Sequence, residues 1–351
     1  MAGRKGERGI ADRAKGLRRA VFHREVEVSQ GAISTKDRIL GGLWGSLIGD
    51  ALGVPVEFKD RAEVQADPVT DMRGFGSHNQ PPGTWSDDSS LLLCSADSLV
   101  RHEYDTEDMG KRFLAWYREK LWTPHGCVFD VGITTSRALS LISTGVRAEV
   151  AGDDSQHSNG NGSLMRIIPV SLRFASAPIK QFLDRVHRAS AITHRHPRSL
   201  LACGVYSLVI RELLAGVDAK TAVFEALGNF RAFYEADPYW AVELEHFQLL
   251  LAGCLGDRPE SEIDSSGYVV HTLTASLWCL LTTSGFEECV LRAINLGGDT
   301  DTTGCVTGGL AGVRYGLDAI PVKWLGVLAR RDEIEFLFNN LEALIQRSHE
   351  H

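Results

Sequence analysis

The sequence predicts an all-α fold, and two observations carry the prediction. Apolar residues recur at helical spacing along most of the 351-residue chain, while convincing strand alternation is scarce, with at most one short run near residues 21–28. A composition of 44% hydrophobic and 23% charged residues is ordinary for a globular protein and enough to bury a large core, as one large domain or two small ones. No internal repeat of about 20 to 50 residues is evident, so a compact body is expected rather than a solenoid.

The first helix is expected over 37–53, where Ile39, Leu40, Leu43, Leu47, Ile48 and Leu52 fall at helical spacing. Gly41, Gly45, Gly49 and Gly53 repeat every fourth residue along it. Each glycine costs roughly 1 kcal/mol of helix stability against alanine, so something must approach that face closely. The same periodicity predicts helices over 89–102, 107–120, 179–192, 198–214, 239–255, 270–281, 286–296 and 332–346.

Charge and cysteine usage narrow the function classes. A formal net charge of -8 argues against a general nucleic-acid binder, which needs clustered basic charge. The first 25 residues stand apart, with eight Lys/Arg against three Asp/Glu, and they lack the apolar stretch of a secretory signal. No run of about eighteen apolar residues suggests a membrane span. A basic arm is left, joined through VEVSQGAIST to the main body. The seven cysteines (94, 127, 203, 254, 279, 289 and 305) show no CxxC spacing and read as reduced, buried thiols of a cytoplasmic protein.

Polar chemistry concentrates in loops between helices. In GTWSDDS, Ser86 reads as an N-cap with Asp87 and Asp88 in the first helical turn, where the helix dipole favours negative charge. A second acidic loop, NLGGDTDTTG, places Asp299 and Asp301 at another helix start. If the two loops meet, four carboxylates carry a charge of -4 that two divalent cations would neutralise. Hard oxygen donors without cysteine suit Mg²⁺ or Mn²⁺ rather than zinc, with the Ser86 and Thr302 hydroxyls as neutral ligands. Gly297 and Gly298 would let the backbone turn closely beside the ions. Two unrelated capped helices remain the alternative on spacing alone. The NGNGS run reads on composition as a flexible turn, His194 and His196 as punctuation between two helices, and Glu57 as a solvated residue after a helix. A zinc site on these histidines or His187 lacks a further ligand set.

Five segments taken in order, GGLWGSLIGDALGVPVEF, GTWSDDS, NGNGSLMRIIPV, ITHRHP and LGGDTDTTGCVTGGLAG, resemble the ADP-ribosylglycohydrolase family, from about residue 37 to about 316. The resemblance implies an all-α, multi-helix domain over 37–351 behind a basic N-terminal extension over 1–36, and a binuclear centre of two Mg²⁺ (or Mn²⁺). By this likeness the metal ligands fall on Ser86, Asp87, Asp88, Asp299, Asp301 and Thr302. Serine at 86 departs from the family's threonine, keeping the hydroxyl and losing a methyl that restrains the rotamer. Substrate contacts map to Ser158, Asn159, Gly160, Asn161 and Gly162, with backbone N–H groups at the helix entering LMRIIPV facing the diphosphate, and to His194. Glu57 falls near the scissile bond, and Glu57 or Asp88 moves protons. The implied activity is removal of ADP-ribose from a modified protein, most plausibly from arginine, with serine or a small molecule as other acceptors. The other class of reading is an immunity protein whose arm occludes the NAD⁺ cleft of an ADP-ribosyltransferase toxin. Among the expected partners there is neither nucleic acid nor membrane.

Overall fold

The structure, a computed structural model, describes residues 32–349; residues 1–31 of the basic extension, with the strand expected near 21–28, lie outside the described residues. The helices of nine residues or more, in chain order, are α1 (Thr35–Gly53), α2 (Asp87–Arg101), α3 (Thr106–Glu119), α4 (Ile133–Ser143), α5 (Ile179–Ala191), α6 (Pro197–Leu214), α7 (Ala219–Tyr234), α8 (Val269–Thr282), α9 (Phe286–Ile294), α10 (Thr300–Tyr315) and α11 (Arg331–His349). The described residues form no strand, only isolated bridges such as Asp153 with His194 and Gly160 with Tyr268. The all-α expectation holds.

The core is built around α1 and α10, which lie antiparallel with their backbones in contact. Ser34 caps α1, its hydroxyl accepting from the Asp37 N–H at 3.0 Å, and every residue from 38 to 53 is buried. The α1 glycines find their reason here. A Cβ added to Gly41, Gly45 or Gly49 would overlap the carbonyl oxygen of Gly312, Gly308 or Gly304 respectively, and a Cβ at Gly53 would overlap Thr300 and Asp301. The clash is reciprocal, because a Cβ on each of those α10 glycines would strike an α1 carbonyl. Both ends of the pair are pinned. The Arg38 guanidinium donates to the carbonyls of Val313 (3.0 Å) and Arg314 (3.1 Å) at the C-terminus of α10, and the Thr300 hydroxyl donates to the Gly53 carbonyl at 2.9 Å.

Helices α8 and α9 pack on α10, α5 and α7 on α6, and α3 and α11 on α2. Among the described helices only α1 is long and apolar enough to cross a membrane, and its apolar stretch is buried inside the fold.

Several expectations need correction. The helix expected over 239–255 is broken into Pro238–Ala241, a 3-10 stretch Val242–Phe247, and Gln248–Leu251. Within the tight stretch Glu243 is turned inward to accept from Arg198 Nε at 2.8 Å, and Gly253 at φ +73° ends the run. Helices α4 and α7 went unread, although Asp218 caps α7 and Ala222, Val223, Ala226 and Phe230 form a buried stripe on it. Of the cysteines, all free, five are buried, but Cys254 is half-buried and Cys127 is exposed.

The seam makes a signed prediction. Gly49→Ala gains helix propensity but overlaps a backbone carbonyl that has no side chain to rotate away, so it should lower stability by about 1–3 kcal/mol. Gly228→Ala in α7, where an added Cβ meets nothing within 4 Å, should raise stability by up to about 1 kcal/mol. Urea midpoints of the two variants check it; equal shifts would remove the seam's special status.

Candidate functional site

The antiparallel pairing brings the C-terminal end of α1 to the N-terminal end of α10, and acidic residues gather there. Ser86 is the N-cap of α2, its hydroxyl accepting from the Asp88 N–H at 3.3 Å, and Asp87 and Asp88 occupy the first turn. The helix-start reading and the ligand reading therefore fall on the same three residues. Behind them lies Asp50 of α1, fully buried, accepting from the N–H of Ser86 (3.0 Å), the N–H of Ser89 (3.0 Å) and the Ser89 hydroxyl. Burial pushes its carboxyl up to about 6.

The second acidic loop turns through Gly297 and Gly298, both at positive φ (+75° and +76°), into Asp299 and the start of α10. The Gly298 N–H donates to the Lys59 carbonyl at 2.7 Å and its own carbonyl accepts from Phe58 N–H at 2.8 Å, which ties this loop to the segment carrying Glu57. Thr302 Oγ1 lies 3.4 Å from Asp88 Oδ1, so the two acidic loops meet. Carboxylate oxygens of Glu57, Asp299 and Asp301 lie within 4.8 Å of one another. Glu57 is 3% exposed, against its reading as a solvated residue: the backbone bends inward after α1 and Ser77 Oγ donates to its carbonyl at 2.6 Å.

The electrostatics of this cluster are severe. Asp87, Asp88 and Asp301 are buried, and desolvation first, then repulsion from the neighbouring carboxylates, holds their carboxyl groups well above the usual range. Glu57 is pushed up to about 7, again chiefly by burial. Three carboxylate oxygens, Asp88 Oδ2, Asp299 Oδ1 and Asp301 Oδ2, are buried with no hydrogen-bond partner. Orphaned anionic oxygens from two helix starts, without sulfur donors, are the chemistry that hard divalent cations satisfy, so the residues present fit such ions.

The 158–162 loop lies beside this cluster. Asn161 Nδ2 donates to Asp299 Oδ2 at 2.9 Å and to Thr272 Oγ1 at 2.8 Å. Ser158 Oγ donates to Asp153 Oδ2 at 2.8 Å, Asn159 Oδ1 accepts from the Ser199 hydroxyl at 3.1 Å, and the Asn161 N–H reaches the Gly267 carbonyl at 3.1 Å. Gly160 and Gly162 lie against the His194 ring, where an added Cβ would come 3.6 Å from Nε2 and 2.8 Å from Cε1 respectively. The loop is thus anchored on three sides, with Ser158, Asn159 and Asn161 buried, and is not the flexible turn its composition suggests. The helix expected at LMRIIPV begins only at Ile168; residues 162–166 form turns. His196 caps α6, its Nδ1 accepting from Arg198 N–H at 3.3 Å, and His187 Nε2 meets the Tyr234 hydroxyl at 2.6 Å; neither joins a metal-binding group among the described residues.

Sequence reasoning missed Asp50, His78 and Asp130. His78 contacts the Glu57 carboxylate, and Glu57, His78 and Asp130 form a second group of close ligand atoms. The His78 ring lies 5.9 Å from Phe58 and 5.3 Å from Phe129, centroid to centroid. For Asp50 a signal existed: it is the lone charge in the apolar run 39–56. His78 and Asp130 carry no comparable signal.

Comparison with known proteins places this arrangement. Residues 32–351 match the family model described as ADP-ribosylglycohydrolase. The chain is 31% identical to an ADP-ribosylarginine hydrolase Tri1 of Serratia proteamaculans, over 87% of this chain and 79% of the relative. It is 30% identical to the ADP-ribosyl-[dinitrogen reductase] glycohydrolase of Rhodospirillum rubrum, over 86% and 94%. A solved structure described as an ADP-ribosylglycohydrolase-related protein complex superposes with a TM-score of 0.74 at 36% identity, covering 89% of this chain and 99% of that one.

The support beneath α2 can be tested alone. Asp50→Ala leaves the Ser86 and Ser89 N–H groups buried without acceptors, at about 1–3 kcal/mol for each unsatisfied group, and should lower the thermal midpoint clearly. Asp50→Asn, which retains an acceptor oxygen, should lose less. A midpoint unchanged in Asp50→Ala would contradict this role.

Proposed function

The chain belongs to the ADP-ribosylglycohydrolase family and is an ADP-ribosylglycohydrolase, and on that premise we propose that it removes ADP-ribose from arginine side chains of modified protein with the help of two divalent cations, Mg²⁺ or Mn²⁺. The observation that carries the metal half is the set of three buried, partnerless carboxylate oxygens contributed by two helix starts. Support for arginine comes from the relatives, two of which bear the name ADP-ribosylarginine hydrolase. The seven free cysteines accord with a cytoplasmic setting.

In this reading Ser86, Asp87, Asp88, Asp299, Asp301 and Thr302 hold the cations, and Asn161 orients Asp299 from the side. The ions when bound supply Lewis acidity at the ribose hydroxyls and offset the packed negative charge. Cleavage at the ribose C1″ develops oxocarbenium character as the C1″–N bond breaks with its electron pair leaving on the guanidino nitrogen; water adds at C1″, and the proton that water loses is balanced by the one the departing nitrogen gains. Glu57, whose carboxylate lies beside those of Asp299 and Asp301, passes that proton; Asp88 is the other candidate. Ser158, Asn159, Gly160, Asn161 and Gly162, with His194 beneath, receive the ADP-ribosyl diphosphate and ribose.

A second role is suggested by the sequence of residues 1–36. Its basic charge and the near-alternating AVFHREVEVS favour an arm that orders against a partner, which we assign to occlusion of an ADP-ribosyltransferase toxin, making the protein an immunity factor by two routes.

Two outcomes are expected. Asp87→Ala and Asp301→Ala, and thorough chelation, should abolish release of ADP-ribose from arginine-linked protein while helicity is retained; release from serine-linked protein alone would sink the arginine assignment. Deleting residues 1–31, which keeps Ser34 as the cap of α1, should leave hydrolysis near normal and abolish tight binding to a cognate transferase, and undiminished binding by the truncated protein would remove the arm's role.

A further inference from the structure

Beneath the 158–162 loop lies a buried arginine that the hydrolytic scheme does not use. Arg166, 1% exposed, donates through Nη1 to the Ala189 carbonyl at 3.1 Å and through Nη2 to Thr193 Oγ1 at 2.8 Å, with a longer contact to the Ser190 carbonyl at 3.5 Å. Its guanidinium carbon lies 4.5 Å from the centroid of the Phe113 ring, so the cation is held between an aromatic face and backbone carbonyls. Thr193 Oγ1 in turn lies 2.8 Å from Nδ1 of His194. The opposite edge of that imidazole, Cε1 and Nε2, faces Gly160 and Gly162.

Proton direction follows from donor chemistry. A guanidinium has only donors, so Thr193 Oγ1 accepts from Arg166 and its single proton is free to point elsewhere. A proton on His194 Nδ1 would leave the Thr193 hydroxyl without an acceptor, so the arrangement that satisfies both groups has the hydroxyl donating to Nδ1. Accepting at Nδ1 obliges a neutral imidazole to carry its proton on Nε2. Burial, reinforced by the Arg166 charge, lowers His194 to about 3, so the ring stays neutral at working pH.

We infer that Arg166 and Thr193 are positioning residues that fix His194 as the Nε2–H tautomer and so present one N–H donor, through the gap left by Gly160 and Gly162, to an oxygen of the bound ADP-ribosyl group. This rests on the reading that the 158–162 loop receives ADP-ribose. The absence of a side chain at Gly162 then has a purpose beyond backbone conformation, since this glycine has no positive φ: a Cβ there would press on the ring edge that carries the donor. The chain Arg166 to Thr193 to His194 runs donor to acceptor in one direction, which favours a single orientation of every proton in it.

The test combines a spectrum without ligand and a titration with it. Nitrogen–proton correlation spectra of the full chain, labelled at histidine and free of nucleotide, should show His194 with its proton on Nε2 and an accepting Nδ1. ADP-ribose titrated calorimetrically in the presence of Mg²⁺ should bind about tenfold more weakly to Thr193→Val, the loss expected of one misaligned hydrogen bond, while Thr193→Ser, which keeps the hydroxyl, should bind within about twofold of the wild type. A proton on Nδ1 in the wild-type spectrum would overturn the inference, as would equal affinity of Thr193→Val and wild type. Should the wild-type protein bind no ADP-ribose, the loop reading itself falls and the ligand half of the inference with it, while the ring spectrum still decides the relay. If Thr193→Val fails to fold, the wild-type spectrum and the Thr193→Ser affinity decide the outcome.

Discussion

Everything at the acidic centre depends on two helices touching without side chains between them. Gly41, Gly45 and Gly49 on α1 face Gly312, Gly308 and Gly304 on α10, and each fills the space a methyl group would need on the other. Because the two helices are antiparallel, this contact sets the end of α1, with Asp50 and then Glu57, beside the start of α10, with Asp299 and Asp301. A wider separation would move one pair of carboxylates relative to the other by the thickness of a side-chain layer. The cost in helix propensity at each of these glycines is the cost of that precision.

The carboxylates so assembled oppose folding. Asp87, Asp88 and Asp301 are buried, and burial first, then repulsion from neighbouring carboxylates such as Asp50 and Asp299, raises their proton affinity, while three of the cluster's oxygens have no donor. Part of the compensation is built in: α2 and α10 both begin at the cluster, so the positive ends of two helix dipoles point toward it. Asp50 adds acceptors for the otherwise orphaned N–H groups at the start of α2, and Asn161 donates to Asp299. The remaining negative charge is of the kind that bound cations neutralise, so the cost of gathering these carboxylates and their fit to hard cations have one source. The same Asn161 side chain joins the centre to the anchored 158–162 loop, which makes the two halves of the site one hydrogen-bonded unit.

Much of this was legible in the sequence, and the illegible parts have physical reasons. A glycine every fourth residue in an apolar helix announces close approach, and Gly304, Gly308 and Gly312 carry the same period, yet periodicity alone does not pair one stripe with another. The two acidic loops were readable as helix starts, and their meeting followed from the resemblance rather than from spacing. Glu57 was misread by default because burial after a helix end depends on the path of the next loop, here folded in by Ser77 and Gly298. His78 and Asp130 enter from segments whose sequences give no local cue, and their place beside Glu57 is a long-range contact. The segment 239–255 kept helical periodicity while its backbone tightened to bring Glu243 to Arg198, a tertiary demand that no local pattern encodes.

The central claim is that the glycine seam brings the two acidic helix starts together as one cation-binding centre. Its most direct test is anomalous diffraction at the manganese edge from crystals of the full chain grown with Mn²⁺. The account predicts two anomalous peaks, flanked by Asp87 and Asp88 on one side and Asp299 and Asp301 on the other. Crystals with no peak between these residues, or with manganese bound only elsewhere on the surface, would contradict it.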